Sequence, residues 1–267
     1  MTAMPDTATI AFTLPPRLPR AALVTGGAQR LGRAICLALA GAGLGVAIHC
    51  RHSRAEADAL AAEIVRGGGR AAVVDADFGA GAEIERLLPR AAAALGPIGV
   101  LVNNASTFER DEWDGATRAS WDQHVEPNLR APFVLMQALA RDLPAEAHGL
   151  VINMLDQRVW SLTPHFVSYT LSKAGLWALT RQMALALAPR IRVNAIGPGP
   201  ALPSPRQTPE QFARQCASVP LRHGTSPDEV AQAALAILML PSMTGQMIAL
   251  DGGQHMQWAP TGAVQNE

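Results

Sequence analysis

The sequence lacks the features that define several large classes of protein. Its three cysteines, Cys36, Cys50 and Cys216, are widely spaced and form no CxxC pair, which argues against a disulfide framework or a thiolate metal cage and favours a reducing cytoplasm. Lys plus Arg and Asp plus Glu both number 22, so the net charge is zero and no nucleic-acid surface is expected. No apolar run reaches the roughly 18 residues of a membrane span.

Aromatic residues are also scarce. They make up 4% of the chain against 49% for all hydrophobic residues, which predicts an interior of Ala, Leu and Val. The seven histidines show no ligand spacing such as HExxH, so no metal site is predicted. The first 19 residues carry four prolines and no helical period, and we expect them to form a loose leader before one domain over residues 20–267.

Short apolar segments alternate with helical ones from Arg20 onward. Seven of these segments are nearly continuous in apolar residues, as the strands of a parallel sheet covered on both faces must be. We therefore predict a single α/β domain with a Rossmann-like, doubly wound, seven-stranded parallel sheet and helices on both faces. The predicted strands are Ala21–Val24, Gly45–His49, Ala71–Val74, Val100–Asn103, Leu150–Asn153, Ile191–Ala195 and Met247–Leu250.

Two further segments bear on a possible site. One unbroken helix is predicted over Ser120–Ala140. The stretch from Pro198 to Pro220 is rich in proline, so we expect a long irregular loop at the carboxyl edge of the sheet, about residues 198–220, where substrate-covering loops lie.

The first predicted strand runs into a glycine-rich turn, Thr25-Gly26-Gly27-Ala28-Gln29-Arg30-Leu31-Gly32. A strand, a glycine turn and a helix start place a pyrophosphate on backbone amides at a helix N-terminus. Gly26 and Gly32 let the backbone turn and the helix approach closely. The turn alone leaves open the alternative of a tight turn without a ligand.

Tyr169 and Lys173 stand four residues apart at the start of a helical segment, so both side chains project from one face. A nearby lysine favours the ionised form of a tyrosine, which makes the phenol a better proton relay at neutral pH. Tyr169 is also the only tyrosine in the chain. A surface pair without a chemical role is the alternative.

Taken together, these motifs resemble the short-chain dehydrogenase/reductase family, and the resemblance extends from Arg20 to Trp258. The glycine turn and the Tyr-Thr-Leu-Ser-Lys run carry most of it. The other matching segments are Asn103-Asn104-Ala105, Asn128, Arg192-Val193-Asn194, Pro198-Gly199 and Asp251-Gly252-Gly253.

The resemblance implies a nicotinamide cofactor and a set of roles for individual residues. Tyr169 is the expected proton donor, Lys173 is expected to hold the nicotinamide ribose, and Asn128 is expected to support a water-mediated proton path. A homo-oligomer, a tetramer in this family, is also expected, with His255 and Trp258 at a subunit contact or the pocket rim. The implied cofactor-binding residues are Gly26, Gln29, Arg30, Leu31, Gly32, Arg51, His52, Ser53, Asp77, Phe78, Asn104, Ala105, Ser106, Tyr169, Lys173, Pro198 and Gly199.

Three positions depart from the usual family pattern. Arg30 replaces the third glycine of the turn, and Asp156 replaces the catalytic serine. After Asn103-Asn104-Ala105 the chain continues with Ser106-Thr107-Phe108, where the family usually has a glycine. All three departures are similar to the pteridine reductases, in which the corresponding side chains surround a pterin stacked on the nicotinamide. The implied substrate-binding residues are Arg30, Ser106, Phe108, Asp156, Tyr169 and Leu202.

The chemistry of these side chains fits a pterin. A carboxylate at Asp156 opposes formation of tyrosinate at Tyr169, so the phenol keeps its proton, which a proton donor requires. Asp156 can also accept hydrogen bonds from ring N–H groups. Phe108 offers a flat face to a fused ring and Arg30 a planar cation. Taken singly, Phe108 as loop packing and Arg30 as a solvated turn residue are the alternatives.

Cofactor choice is decided at the end of the second strand. An acidic residue there binds the ribose hydroxyls of NAD and repels a 2′-phosphate. The run His49-Cys50-Arg51-His52-Ser53 has no acid, so we predict NADPH. Asp77 and Phe78, after the third strand, resemble the position that contacts adenine.

The sequence thus predicts an NADPH-dependent reductase of a dihydropterin, such as dihydromonapterin, dihydrobiopterin or dihydrofolate. One alternative is a carbonyl reductase of a 3-oxoacyl or small keto compound, against which Asp156 argues. A second is a non-catalytic NADP-binding sensor, against which Asn128, Tyr169 and Lys173 argue.

Overall fold

One sheet of seven parallel strands forms the centre of the computed structural model, which describes residues 13–79 and 81–256. The strands are β1 (Ala21–Val24), β2 (Gly45–Cys50), β3 (Ala71–Asp75), β4 (Val100–Asn103), β5 (Gly149–Met154), β6 (Ile191–Pro198) and β7 (Met247–Leu250). They lie in the order β3-β2-β1-β4-β5-β6-β7, and every neighbouring pair is parallel. The predicted doubly wound fold and its seven-stranded sheet are confirmed.

Helices cover both faces of this sheet. They are α1 (Arg30–Gly41), α2 (Arg54–Arg66), α3 (Gly81–Leu95), α4 (Arg118–Val125), α5 (Ala131–Asp142), α6 (Val167–Ala186), α7 (Pro209–Ser218) and α8 (Pro227–Met239). Short 3₁₀ turns follow β5 at Gln157–Val159 and β7 at Gln254–Met256. Within the described ranges, none of these helices has both the length and the apolar character to cross a membrane.

The core lies in two layers, one on each side of the sheet. Leu23 and Val24 are neighbours on β1, yet Leu23 packs with the side chains of α3 and α5 and Val24 packs with those of α1, α2 and α8. Successive side chains of a strand point to opposite faces, so a strand buried on both faces must be apolar throughout. This requirement explains the continuous apolar segments of the sequence.

The predicted helix over Ser120–Ala140 is wrong as a single helix. α4 ends at Val125, a five-residue π-helical turn spans Glu126–Arg130, and α5 begins at Ala131. The segment contains Pro127 and Pro132, which have no N–H to donate. A π-helical turn is a common feature of functional sites, and this one carries Asn128.

The predicted irregular loop over residues 198–220 is also wrong in part, because it contains α7. The side chain of Thr208 accepts a hydrogen bond from the N–H of Gln211, whose side chain bonds back to Thr208, and Pro209 occupies the first turn. This capping box, with proline at the helix start, is a helix signal that the abundance of proline obscured.

The described part of the predicted leader is packed against the domain. Leu18 is buried and Leu14 contacts the same core layer as α1. The N–H of His148 donates to the carbonyl of Arg17 at 3.0 Å. Residues 13–19 therefore do not form a loose leader, because Leu14 and Leu18 pack against apolar side chains of the core. Residues 1–12 lie outside the described ranges.

The strand order positions the candidate site. β1 leads to β2 on one side, whereas β4 continues the sheet on the other. At such a reversal the connections leave in opposite directions, and a crevice opens at the carboxyl ends of the two strands. The glycine turn after β1 and the Asn104 loop after β4 border this crevice.

The start of α8 provides a test of local stability. Ser226 Oγ accepts a hydrogen bond from the N–H of Glu229 at 3.1 Å. Ser226→Ala should lower the free energy of unfolding by about 1 kcal/mol, the usual cost of losing an N-cap. Urea unfolding measures this change, with Ser242→Ala, an exposed serine in the loop after α8, as the control. Equal stabilities of the two variants would contradict the prediction.

Candidate active site

The glycine turn is held tightly against the loop after β4. The side-chain amide of Asn104 donates to the carbonyls of Thr25 and Gly26, both at 2.9 Å, and its two N–H groups are thereby used. A Cβ on Gly32 would collide with the carbonyl of Gly26 and with Asn104. Gly26 has a φ of +59°, in the left-handed region that favours glycine. Asn104, predicted to bind the cofactor, uses its side-chain donors to shape the turn.

Arg30 occupies the position of the third glycine and keeps a glycine-like backbone. Its φ is 51°, and its exposed guanidinium donates to the carbonyls of Pro203 at 3.0 Å and Leu202 at 3.4 Å. It therefore joins the glycine turn to the loop before α7. Gln29 donates to Glu56 on α2 at 2.8 Å, and Leu31 packs against the core.

His49 is a functional residue that sequence reasoning missed. Its Nδ1 accepts a hydrogen bond from the N–H of Gly26 at 3.0 Å, so Nε2 carries the proton and donates to the carbonyl of Ala76 at 3.1 Å. The ring stacks on Phe78 with centroids 4.5 Å apart. Burial lowers the pKa of His49 to about 4, although the Ala76 carbonyl and Asp75 oppose this effect. The neutral imidazole thus fixes the glycine turn to the ends of β2 and β3.

Two cavities on this side of the crevice meet at Gly26, His49 and Arg51. Their volumes are about 680 Å³ and 380 Å³. Arg51 Nε lies 3.4 Å from Asp77 Oδ2, and both side chains are about half exposed. Phe78 lines the larger cavity, but its ring is buried under His49. The predicted cofactor residues that line one cavity or both are Gly26, Gln29, Arg30, Leu31, Gly32, Arg51, His52, Ser53, Asp77, Phe78, Asn104, Ala105 and Ser106.

The phenol of Tyr169 and the carboxylate of Asp156 are directly bonded. The Tyr169 hydroxyl donates to Asp156 Oδ2 at 2.9 Å, and Asp156 Oδ1 accepts from the N–H of Arg158 at 2.9 Å. The second bond begins the 3₁₀ turn after β5, so the backbone fixes the carboxylate. Tyr169 is 6% exposed. A phenol and a carboxylate therefore meet at the end of β5.

Lys173 lies one helical turn beyond Tyr169 and is buried. Its Nζ donates to the carbonyl of Met154 at 2.8 Å and lies 5.8 Å from the centre of the Tyr169 ring. Burial lowers the pKa of Lys173 to about 8, and the negative charge of Asp156 opposes this shift. The ammonium therefore carries its charge at neutral pH and loses it as the pH rises through about 8. Lys173 is also the only lysine in the chain.

Asn128 joins two segments of the site. Its side-chain amide donates to the carbonyl of Thr107 and to Ser172 Oγ, both at 3.0 Å, and its Oδ1 accepts from the N–H of Thr107 at 2.8 Å. The side chain thus ties the loop after β4 to α6. The proton path that was expected to involve Asn128 stays a prediction.

Phe108 lies in a group of aromatic rings beside the phenol. It stacks on Phe166 and meets Tyr169 edge to face, in both cases with centroids 4.7 Å apart. Arg158, which sequence reasoning missed, is 8% exposed, and its guanidinium carbon lies 4.7 Å from the centre of the Phe166 ring and 5.2 Å from that of Phe108. The sequence around Arg158 does not indicate its contact with Phe108, because Phe108 lies on the loop after β4 and the two segments meet only in the folded protein.

A smaller cavity of about 150 Å³ adjoins Phe108 and Asp156. Arg206 holds the Phe108 loop from the segment before α7, since its guanidinium donates to Glu109 at 2.6 Å and to the carbonyl of Phe108 at 3.1 Å. Ser106 lines the two larger cavities. The predicted residues that line this smaller cavity are Arg30, Phe108, Asp156, Pro198, Gly199 and Leu202.

Of the two C-terminal residues expected at a subunit contact or the pocket rim, only His255 lies within the described ranges. His255 Nδ1 lies 2.7 Å from Asp251 Oδ2, and the His255 ring meets Trp160 edge to face at 4.9 Å. Trp258 lies outside the described ranges. In the part of the chain that the structure covers, no group of three His, Cys, Asp or Glu side chains could hold a metal ion.

The fold and the candidate site together define a class of protein. A Rossmann-like sheet with a glycine turn at its reversal point, followed by a buried Tyr-Lys pair, is the architecture of a dinucleotide-dependent oxidoreductase. The profile described as "short chain dehydrogenase" matches residues 20–211. The chain therefore belongs to the short-chain dehydrogenase/reductase family and is an oxidoreductase.

Two solved structures and one curated relative show which members of the family this chain is similar to. The FolM alternative dihydrofolate reductase 1 of Brucella suis, solved in complex with NADP, is 48% identical, with a TM-score of 0.88 over 91% of this chain and 98% of that one. The Brucella canis protein, also complexed with NADP, is 47% identical, with a TM-score of 0.89 over 92% and 99%. A 3-oxoacyl-(acyl-carrier-protein) reductase of Synechocystis sp. is 30% identical over 88% of this chain and 96% of its own length.

The buried imidazole of His49 leads to a prediction about pH. An unfolded histidine gains a proton near pH 6.5, whereas the folded one resists protonation down to about pH 4. The unfolded state therefore binds more protons between these values, and the free energy of unfolding should fall by about 1 to 3 kcal/mol as the pH drops from 6.5 to 4. Urea unfolding at a series of pH values, for the wild type and His49→Phe, isolates this effect. Parallel curves would contradict the assignment.

Proposed function

We propose that the protein is an NADPH-dependent reductase that converts a dihydropterin to the tetrahydropterin. The observation that carries this proposal is the 2.9 Å hydrogen bond from Tyr169 to Asp156, with the ring of Phe108 4.7 Å from that of Tyr169. A proton donor, a carboxylate that accepts N–H groups and a flat aromatic face are the features that a nitrogen-rich fused ring requires.

The comparisons support a pterin over other substrates. The two Brucella proteins, named as dihydrofolate reductases, are 48% and 47% identical to this chain, while the 3-oxoacyl reductase of Synechocystis is 30% identical. Dihydrofolate contains a pterin ring, so the higher identity agrees with the reading of Phe108 and Asp156.

The cofactor is NADPH, in agreement with the NADP that both Brucella structures contain. The glycine turn offers backbone N–H groups to the pyrophosphate. Arg51, His52 and Ser53 border the 380 Å³ cavity at the end of β2, and the run has no acid to repel a 2′-phosphate. When bound, the cofactor supplies hydride to a ring carbon of the substrate.

Side chains of the protein supply the proton for the reduction. Reduction of a C=N bond requires a proton at the nitrogen next to the carbon that receives hydride. The Tyr169 hydroxyl is the donor, and Asp156 orients it and can accept an N–H of the ring. Lys173, charged below pH 8 or so, lies close enough to stabilise the phenolate that forms as the proton leaves.

Oligomer and compartment are the remaining parts of the proposal. Trp121 on α4 and Phe133 on α5 are each 38% exposed, which fits a homo-oligomer, a tetramer, packed through these helices. Light scattering of the purified protein tests this state. The free thiols of Cys36, Cys50 and Cys216 fit a cytoplasmic setting.

A carbonyl reductase is the second candidate, because the Synechocystis relative at 30% identity is named a 3-oxoacyl reductase and a Tyr-Lys pair suits the reduction of a ketone as well. The deciding assay follows NADPH oxidation with dihydromonapterin, dihydrobiopterin, dihydrofolate and an acetoacetyl ester at neutral and mildly acidic pH. Turnover of a pterin with little of the ester supports the proposal. Turnover of the ester alone overturns it, and no turnover with tight NADPH binding favours a sensor.

Asp156→Ser tests the role of the carboxylate. Serine restores the usual family residue but removes the charge and one acceptor atom, so pterin turnover should fall about 10-fold to 100-fold while the Kd for NADPH changes little. Steady-state kinetics and fluorescence titration measure the two quantities. Tyr169→Phe should abolish turnover and serves as the reference for loss of the donor. Unchanged pterin turnover in Asp156→Ser would show that the carboxylate is dispensable.

Arg51→Asp tests cofactor choice. The new carboxylate would repel a 2′-phosphate and bind ribose hydroxyls, so the ratio of kcat/KM for NADPH to that for NADH should fall about 100-fold. Arg66→Asp, the same change at the end of α2, is the control. An unchanged ratio would locate the phosphate contact elsewhere.

A further inference from the structure

A buried cluster of Asp111, Ser168 and His124 lies beside the site and is not used by the reaction described above. The Ser168 hydroxyl donates to Asp111 Oδ2 at 2.5 Å and lies 2.7 Å from His124 Nδ1. His124 Nε2 accepts from the N–H of Glu109 at 3.0 Å, so its proton is on Nδ1, which lies within hydrogen-bond distance of both Ser168 Oγ and the carbonyl of Ser120 at 2.9 Å. All three cluster residues are at most 9% exposed.

This cluster is not a hydrolytic triad. In a triad the imidazole stands between the serine and the carboxylate and accepts the serine proton. Here the serine stands in the middle, and its hydroxyl donates a hydrogen bond to the carboxylate. Ser168 is fully buried and cannot reach a substrate. The cluster must act through the elements that it joins.

The first of these elements is the N-terminus of α6. Phe166, the residue before the helix, has a φ of 57° and makes no side-chain cap. Asp111 takes its place, since Oδ1 accepts from the N–H of Ser168 at 3.1 Å and the Asp111 carbonyl accepts from the N–H of Phe166 at 2.9 Å. A carboxylate at a helix N-terminus also interacts favourably with the helix dipole. The helix that carries Tyr169 is therefore capped by a residue 57 positions earlier in the chain.

The second element is the loop that carries Phe108. Asn128 holds Thr107 against Ser172, while Asp111 holds the other end of the same loop against Ser168. Phe108 lies between these two attachments. The loop therefore runs along the first two turns of α6, with its aromatic ring fixed beside Tyr169.

We propose that Asp111 is a positioning residue for the reaction: its carboxylate caps α6 and fixes the Phe108 loop to it, so that the stacking face and the proton donor form one rigid unit. The inference rests on the proposed function for the roles of Phe108 and Tyr169. Asp111 touches no reacting atom, and its effect on turnover passes through these two side chains.

Two substitutions of Asp111 distinguish the effect of its hydrogen bonds from the effect of its negative charge. Asp111→Asn and Asp111→Ala both remove the negative charge, but only asparagine keeps an oxygen for the Ser168 N–H. We expect kcat for the pterin to fall about 10-fold or more in Asp111→Ala, as for a small misplacement of reacting groups, and to recover to within about threefold in Asp111→Asn. The Kd for NADPH should change less than about twofold in both, because Asp111 borders none of the nucleotide cavities. Asp114→Ala, an exposed aspartate of the same loop, is the control.

A second readout does not depend on pterin turnover. Tyr169 is the only tyrosine, so the ultraviolet absorbance of phenolate follows this residue alone during a pH titration. Its midpoint should differ between Asp111→Ala and Asp111→Asn if the cap fixes the distance from the phenol to Asp156. A wild type without pterin turnover would disprove the proposed function, and this titration would still test the cap.

The results that overturn the inference are equally defined. Equal kcat values and equal midpoints for the two Asp111 variants would show that charge, not position, matters. A kcat of Asp111→Ala that matches Asp114→Ala would show no role at all. If Asp111→Ala does not fold, Ser168→Ala replaces it, since it removes the hydroxyl bond and leaves the amide cap. A lowered kcat with unchanged NADPH binding then supports the hydroxyl bond as a positioning contact, and an unchanged kcat overturns that part of the inference.

Discussion

The hydrogen bonds from Asn104 to the carbonyls of Thr25 and Gly26 are the contact on which the rest of the site depends. β1 and β4 are parallel neighbours in the sheet, and their loops would separate because the connections after them leave in opposite directions. Asn104 joins the two loops at this point, and Gly32 lets α1 approach them. The glycine turn and the loop that carries Phe108 are therefore parts of one structure. The proposed pyrophosphate site at the turn and the proposed proton donor are held by the same contacts.

Much of the fold and the central chemistry could be predicted from local sequence. The strands could be predicted because a strand that is buried on both faces is apolar throughout. Tyr169 and Lys173 could be paired because residues four apart lie on one face of a helix. Asp156 was recognised because it replaces a serine in a known pattern. α7 was missed because the prolines around it obscured the capping box at Thr208. All of these signals, including the capping box of α7, lie in residues that are close together in the chain.

The contacts that were missed link distant parts of the chain. His49 bonds to Ala76, 27 residues away, and Asp111 bonds to Ser168, 57 residues away. No local pattern indicates that a histidine will be neutral and buried, or that an aspartate will cap a helix in another segment. Arg158 likewise becomes part of the site only when the loop after β4 folds against α6. The sequence therefore indicates the candidate reacting groups more clearly than the residues that hold them in place.

The burial of Lys173 has a practical consequence for chemical modification. The chain has no other lysine, and the ε-amine of this one is bonded to the carbonyl of Met154 at 2.8 Å. Amine-directed labels, cross-linkers and resins therefore find no ε-amine on the surface and must react at the α-amine instead. Any reagent that does reach the interior amine would modify α6, the helix that also carries Tyr169. Coupling through the free thiol of Cys216 is the milder route for attaching a probe.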